Sequence, residues 1–233
     1  MNHLLNNPVF NALVFGDQRL GFGSDKAKFF DESVSPFAGF EDAYDKGFED
    51  LYELLPPGRV ILYATPQNIK QHEGWELLDS VKGLQLIFDS GNHAGQKSFN
   101  LIPLQEKHIE QMMQLAALTK PGPFGPRTID FGHYFGIFEK EKLVAMAGQR
   151  LHVQQFTEIS AVCTHPDYLG KGYASALVQH LVHLIKQQGQ TPFLHVREDN
   201  HRAIEIYQRL GFEISGPMNF YVLKKDALSS LQQ

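Results

Sequence analysis

The sequence predicts an α/β protein, and three features carry that expectation. Strand-like and helix-like runs alternate through the second half of the 233-residue chain. A glycine-bearing loop, Leu169-Gly170-Lys171-Gly172-Tyr173-Ala174, joins an apolar strand run to a long amphipathic helix. A strand followed by a Gly-aromatic-Glu step occurs once in each half, each step followed at the same spacing by a second apolar run.

In chain order, Arg59–Ala64 reads as a strand, and Gly74-Trp75-Glu76 precedes the run Leu84–Phe88. Asp89–Lys97 is polar and glycine-containing, with the character of a linker. Phe99–Leu104 reads as a strand. Glu106–Leu118 reads as a helix with Ile109, Met112, Met113, Leu115 and Ala116 as its apolar positions. Thr119–Arg127 holds three prolines and two glycines and cannot be helical. Tyr134–Phe138 and Leu143–Val153 form a hairpin turning at Lys140-Glu141. Glu158–Thr164 is a strand of small and β-branched residues, ended by His165-Pro166-Asp167. Beyond the loop, Ala174, Leu177, Val178, Leu181, Leu184 and Ile185 repeat at helical spacing. Phe193–Val196 is then a strand, Ala203, Tyr207 and Leu210 form one helical stripe, and Gly211-Phe212-Glu213 precedes Tyr221–Leu223.

Composition narrows the function classes. A hydrophobic fraction of 42% with 18 Phe suits a packed globule. A net charge of −5 argues against a nucleic-acid binder that relies on a basic surface. The single cysteine, Cys163, forms no internal disulfide, fits a reducing compartment, and reads as a small buried hydrophobe. The opening residues lack a basic start and an apolar signal core, and no apolar run approaches the ~18 residues of a membrane span. A cytoplasmic protein, without membrane or nucleic-acid partners and either monomeric or homodimeric, is expected.

The loop carries the chemistry. Gly170 and Gly172 permit backbone conformations that a Cβ disfavours, and the helix that follows presents unpaired N–H groups and its positive dipole end. Such a loop can cradle phosphate with main chain alone; a tight turn without a ligand is the competing reading. A nucleotide P-loop is excluded, because Lys171 is followed by Gly172-Tyr173 and not by Ser or Thr. The dinucleotide fingerprint fails for want of a third glycine in register. His180 and His183, spaced i,i+3, lack a third ligand and read as a solvated face, so no metal is expected.

From about Phe156 to Leu223 the chain resembles the GNAT superfamily of acyl-CoA-dependent N-acyltransferases. The family's pyrophosphate motif, Q/R-x-x-G-x-G/A, is matched by Gly170-Lys171-Gly172-Tyr173-Ala174 after a departure at Leu169. Phe193–Arg197, Asn200, Ala203–Tyr207 and Leu210-Gly211-Phe212 follow in the family's order, and the match resembles most the glycine N-acyltransferase-like subgroup. The resemblance implies a mixed, mostly antiparallel central sheet flanked by helices, in the order β-α-loop-β-β-β-α-β-α-β-β. It places a catalytic domain at 98–233 and a degenerate half-copy at 1–97, the latter serving as scaffold or acceptor-side wall.

The resemblance also implies the site. Acetyl-CoA, as acyl donor, would place its pyrophosphate on Gly170, Lys171, Gly172, Tyr173, Ala174 and Ser175. Its pantetheine arm would pair with the main chain of Val162 and Thr164, which requires neighbouring strands to splay. Asn200 would bond that arm, cap the following helix, or do both. Tyr207 stands at the general-acid position, with a core tyrosine as the alternative. Glu158, with a pKa expected to be raised by apolar walls, and His195 are the two candidate bases. Arg127 and the Pro-Gly-Pro-Phe-Gly-Pro run would line the acceptor channel. The expected reaction is acetyl transfer to a primary amine (a small molecule, an amino acid or a peptide N-terminus) by direct attack in a ternary complex. A longer-chain acyl-CoA:amino-acid N-acyltransferase and a non-catalytic acyl-CoA-binding module are the alternatives.

Overall fold

The computed structural model describes residues 3–89 and 99–226. The expected linker therefore lies, apart from Asp89, outside the described residues. In chain order the elements are α1 (Pro8–Val14), β1 (Gly21–Gly23), β2 (Ala27–Phe30), β3 (Ala38–Phe40), α2 (Gly47–Leu54), β4 (Val60–Thr65) and β5 (Trp75–Phe88). They continue with β6 (Ile102–Pro103), α3 (Ile109–Thr119), β7 (Phe135–Glu139), β8 (Lys142–Val153) and β9 (Phe156–Thr164). The last are α4 (Tyr173–Gln187), β10 (Thr191–Arg197), α5 (His201–Arg209) and β11 (Phe212–Lys225).

One large sheet runs β4-β11-β5-β10-β9-β8-β7-β6, beside a small sheet β1-β2-β3. Every neighbour pair in the large sheet is antiparallel except β9 with β10. The helices α4 and α5 cover one face. The buried stripe Leu177, Val178, Leu181 and Ile185 packs there against Leu86, Val144, Ile159 and Leu194, as the i,i+4 repeat dictates. The other face carries α1 and α3, with Leu13, Met112 and Leu115 packed among Phe30, Phe37, Tyr134 and Phe193.

Two expectations from the sequence change here. The C-terminal exit was expected to give two strands, but residues 212–225 are one 14-residue strand. Gly216-Pro217 does not turn the chain; both stay paired with β5, opposite Gln85 and Leu84, and Ser215 before them is the extra residue of a bulge. The neighbouring place in the sheet is filled by β5 from the first half, also 14 residues long. These strands pair end against end, Trp75 with Lys225 and Phe88 with Phe212, so strands from both sides of residues 89–97 share one sheet. β5 escaped the sequence pattern because Glu76–Ser80 is exposed and shows no alternation.

Candidate active site

The site begins where two strands part. β9 and β10 pair in parallel at Phe156–Thr191, Thr157–Pro192 and Glu158–Phe193, and no further. Beyond that point β9 continues to Thr164 without β10 beside it. The separation is sharpened by a bulge: Met146 pairs with Cys163 and Gly148 with Ser160, so two residues of β9 face one of β8. Ala161, inside the bulge, holds a left-handed φ of 52°, a conformation that costs an alanine energy.

A groove of about 660 Å3 fills the opening between β9, the glycine loop and α5. Val162, Thr164, Gly170, Gly172, Tyr173, Ala174, Ser175 and Asn200 all line it, and so does Tyr207. Lys171 does not; its ammonium lies over the Tyr168 ring at 4.6 Å. Gly170 and Gly172 have φ of 79° and 92°, with nothing within 4 Å of a would-be Cβ, so conformation and not space demands glycine. Gly172 is the N-cap of α4, and the first helical pairing is Ala176 N–H to Gly172 O at 3.1 Å. The N–H groups of Gly170 through Ser175 have no acceptor among the described residues. The Thr164 Oγ1 is likewise buried without a partner. This is a wall of unused hydrogen-bonding groups at the positive end of a 15-residue helix. The Tyr173 side chain turns away, packing edge-on to Phe99 and donating its hydroxyl to Glu139. Asn200 Oδ1 accepts from Ala203 N–H at 3.2 Å, so the capping role is present in a residue that also faces the groove.

Burial pushes the Tyr207 phenol up to about 12, with the neighbouring Cys163 thiol acting in the same direction. The hydroxyl therefore stays protonated at neutral pH and can donate. Cys163 is buried, with its thiol pushed up to about 11 by burial. Arg202 and Arg209, one on each end of α5, also line the groove. Sequence reasoning missed them, although seven-residue spacing on a helix puts both on one face.

Glu158 and His195 sit elsewhere. Glu158 is fully buried and accepts two hydrogen bonds from Arg150, Nε to Oε2 and Nη2 to Oε1, both 2.7 Å. His195 Nδ1 lies 2.8 Å from Oε1. Burial alone would raise the Glu158 carboxyl, but the Arg150 guanidinium and the bonds from Arg150 and His195 outweigh it and hold it at about 2. The expected raised pKa is thus reversed, because the apolar strand Leu143–Val153 delivers an arginine. A lone charge inside an otherwise apolar run is a signal that a buried partner exists. The other ring nitrogen of His195 meets Gln85 Nε2 at 3.0 Å. That amide also donates to Leu5 O at 2.8 Å, which fixes its NH2 toward both groups. His195 therefore donates from Nδ1 to Glu158 and accepts at Nε2, leaving neither nitrogen free.

On the sheet face opposite α4 and α5 lies a second cavity of about 420 Å3, reached by Arg150 and His195. Lys120–Pro123 of the rigid loop and Phe37, Ile61 and Leu62 of the first half also line it. Arg127 does not; it pairs with Asp130 at 2.8 Å and Glu106 at 3.3 Å. His180 is half-buried and packs edge-on against Phe135, so the helix face it occupies is not simply solvated. Among the described residues no group of three or more His, Cys, Asp or Glu could hold a metal, and no helix is long and apolar enough to cross a membrane.

A crystal structure from Novosphingobium aromaticivorans DSM 12444, described as a putative acetyltransferase from the GNAT family, superimposes with a TM-score of 0.88. It is 29% identical, and the match covers 97% of this chain and all of that one. The chain has the GNAT fold. A family profile described as FR47-like protein matches residues 134–220, the stretch that runs from β7 into β11. Among curated relatives, the [ribosomal protein bS18]-alanine N-acetyltransferase of Escherichia coli K12 is 32% identical over 89 residues. That match spans 37% of this chain and 60% of the relative. The spermine/spermidine N(1)-acetyltransferase of Bacillus subtilis 168 is 42% identical over 52 residues, 22% of this chain and 33% of that enzyme. The chain thus spans 60% of one of these curated relatives and a third of the other.

Proposed function

We propose that the protein is an N-acetyltransferase that moves the acetyl group of acetyl-CoA to a primary amine by direct attack in a ternary complex. The observation that carries this reading is the parting of β9 and β10 beyond Glu158–Phe193, with unpaired N–H groups at one end and a protonated tyrosine at the other. In this reading Gly170 through Ser175 hold the pyrophosphate, while Val162, Thr164 and Asn200 hold the pantetheine arm. Lys171 contributes its backbone N–H, and Arg202 and Arg209 add positive charge along the groove.

In the reaction, the neutral amine attacks the thioester carbon, the N–C bond forms and the C–S bond breaks. Tyr207 gives its proton to the departing sulfur and recovers one from solvent. The proton lost by the amine goes to water, since Glu158 is held ionised by Arg150 and both His195 nitrogens are engaged. Glu158 and His195 then act as positioning residues, fixing Arg150 at the mouth of the second cavity. Holding both reactants together supplies much of the acceleration. Phe37, Ile61 and Leu62 of the first half supply the acceptor-side wall, on a sheet that strands of both halves share.

The test is release of CoA thiol from acetyl-CoA across a panel of amines, amino acids and short peptides, with longer acyl-CoAs in parallel. Turnover with acetyl-CoA supports the reading. Turnover only with longer chains favours the acyl-CoA:amino-acid N-acyltransferase suggested by the glycine N-acyltransferase-like resemblance. Tight binding with no turnover for any amine favours a binding module.

A further inference from the structure

The second cavity has a chemical bias of its own. Its walls are apolar, built from Phe37, Ile61, Leu62, Val81, Phe220 and Val222. Its polar groups are Arg150, Lys120, Arg197 and His195, and no aspartate or glutamate is among its lining residues. Arg150 is held rigidly. Its side chain is 10% exposed, Nε and Nη2 are consumed by Glu158, and Cζ lies 4.8 Å from the centre of the Phe37 ring. Nη1 has no acceptor among the described residues, so one donor edge of a fixed guanidinium is left for the cavity. Lys120 stands at the end of α3 in a left-handed conformation, φ 49°, and is unpaired among the described residues. Arg197 is answered by Asp199 at 2.8 Å.

An unused guanidinium edge in apolar surroundings calls for an anionic acceptor, and a carboxylate matches it in charge and in shape. A ligand bearing only ammonium groups would meet unpaired Lys120 and find no carboxylate on the lining to accept from it, since the carboxylates of Glu158 and Asp199 are taken by Arg150 and Arg197.

We propose that this cavity receives the acceptor of the reaction proposed above, and that the acceptor carries a carboxylate beside its amine on an apolar body, as an apolar α-amino acid does. Polyamines are refused. The assignment as acceptor rests on the acetyltransferase reading, but the carboxylate preference is read from binding alone.

The experiment is calorimetric titration of the full chain with L-phenylalanine, with 2-phenylethylamine, which lacks only the carboxylate, and with spermidine, each without and with CoA. Phenylalanine is expected to bind saturably and at least about tenfold more tightly than 2-phenylethylamine, with spermidine the weakest. Lys120→Glu, an exposed change that keeps the fold, is expected to weaken phenylalanine about fivefold while leaving acetyl-CoA affinity within about twofold. Equal or tighter binding of 2-phenylethylamine, preference for spermidine, or no saturable binding of phenylalanine overturns the proposal. Phenylalanine binding to a protein that ignores acetyl-CoA would leave the carboxylate site standing and sink the acetyltransferase reading. Acetyl-CoA turnover indifferent to the carboxylate would do the reverse.

Discussion

Arg150 and Glu158 meet fork to fork in the protein interior, two 2.7 Å hydrogen bonds joining neighbouring strands β8 and β9 beside the point where β9 and β10 part. Each ion is affordable there only because of the other. Arg150→Met strands a buried carboxylate and is expected to destabilise the fold by about 3–5 kcal/mol. Combining it with Glu158→Gln should recover a large part of that loss. Urea unfolding of the two single variants and the double variant reads the coupling directly.

The same pair sets an acid limit on stability. Glu158 is held at about 2, below its ordinary value of 4.5. A carboxyl depressed on folding contributes stability that is present above the unfolded value and is lost as pH falls toward the folded one. The wild-type urea midpoint should therefore fall between about pH 4.5 and pH 2, by more than that of Glu158→Gln. Parallel slopes for the two proteins in that window would contradict the assignment.

Tyr207→Phe removes one oxygen from the groove wall. If the phenol protonates the departing sulfur, kcat should drop by about 100-fold while acetyl-CoA affinity is nearly unchanged. With the phenol pushed up to about 12, the wild type should show no alkaline loss of this acid at pH 9. Stopped-flow turnover alongside equilibrium binding separates the two effects.

Gly170 and Gly172 demand their residue type through conformation, since their Cβ positions are open. Alanine at either one is expected to cost about 1–2 kcal/mol by forcing an L-residue into the left-handed region. Gly172→Ala should also weaken acetyl-CoA, because it turns the N–H groups of the first helical turn. Thermal melts and titration of the same samples test both effects.

Much of this site could be read from residue order, and the unread parts have physical causes. The loop and the helix it opens are local in sequence, so glycine placement and helical spacing mark them, whereas Asn200 and Tyr207 were reached through the family resemblance; all of them line one groove. Arg150 was not legible as a partner of Glu158, because strand pairing and not sequence distance brings them together. The bulge was hidden because Ala161 gives no hint of a positive φ. The half-to-half exchange was hidden because the exposed ends of β5 and β11 lack alternation, leaving only their terminal aromatics to mark them. The faint repeat in the first half, seen in the sequence as Gly74-Trp75 and Gly211-Phe212, marks the starts of two strands of equal length.

The central claim is that the parted strands and the glycine loop bind acetyl-CoA, and calorimetric titration of the wild type against Gly172→Glu tests it most directly. The account predicts saturable one-to-one binding to the wild type that is abolished in the variant, whose carboxylate would stand where the pyrophosphate is placed. A folded wild type that shows no binding, or a variant that binds equally well, would contradict it.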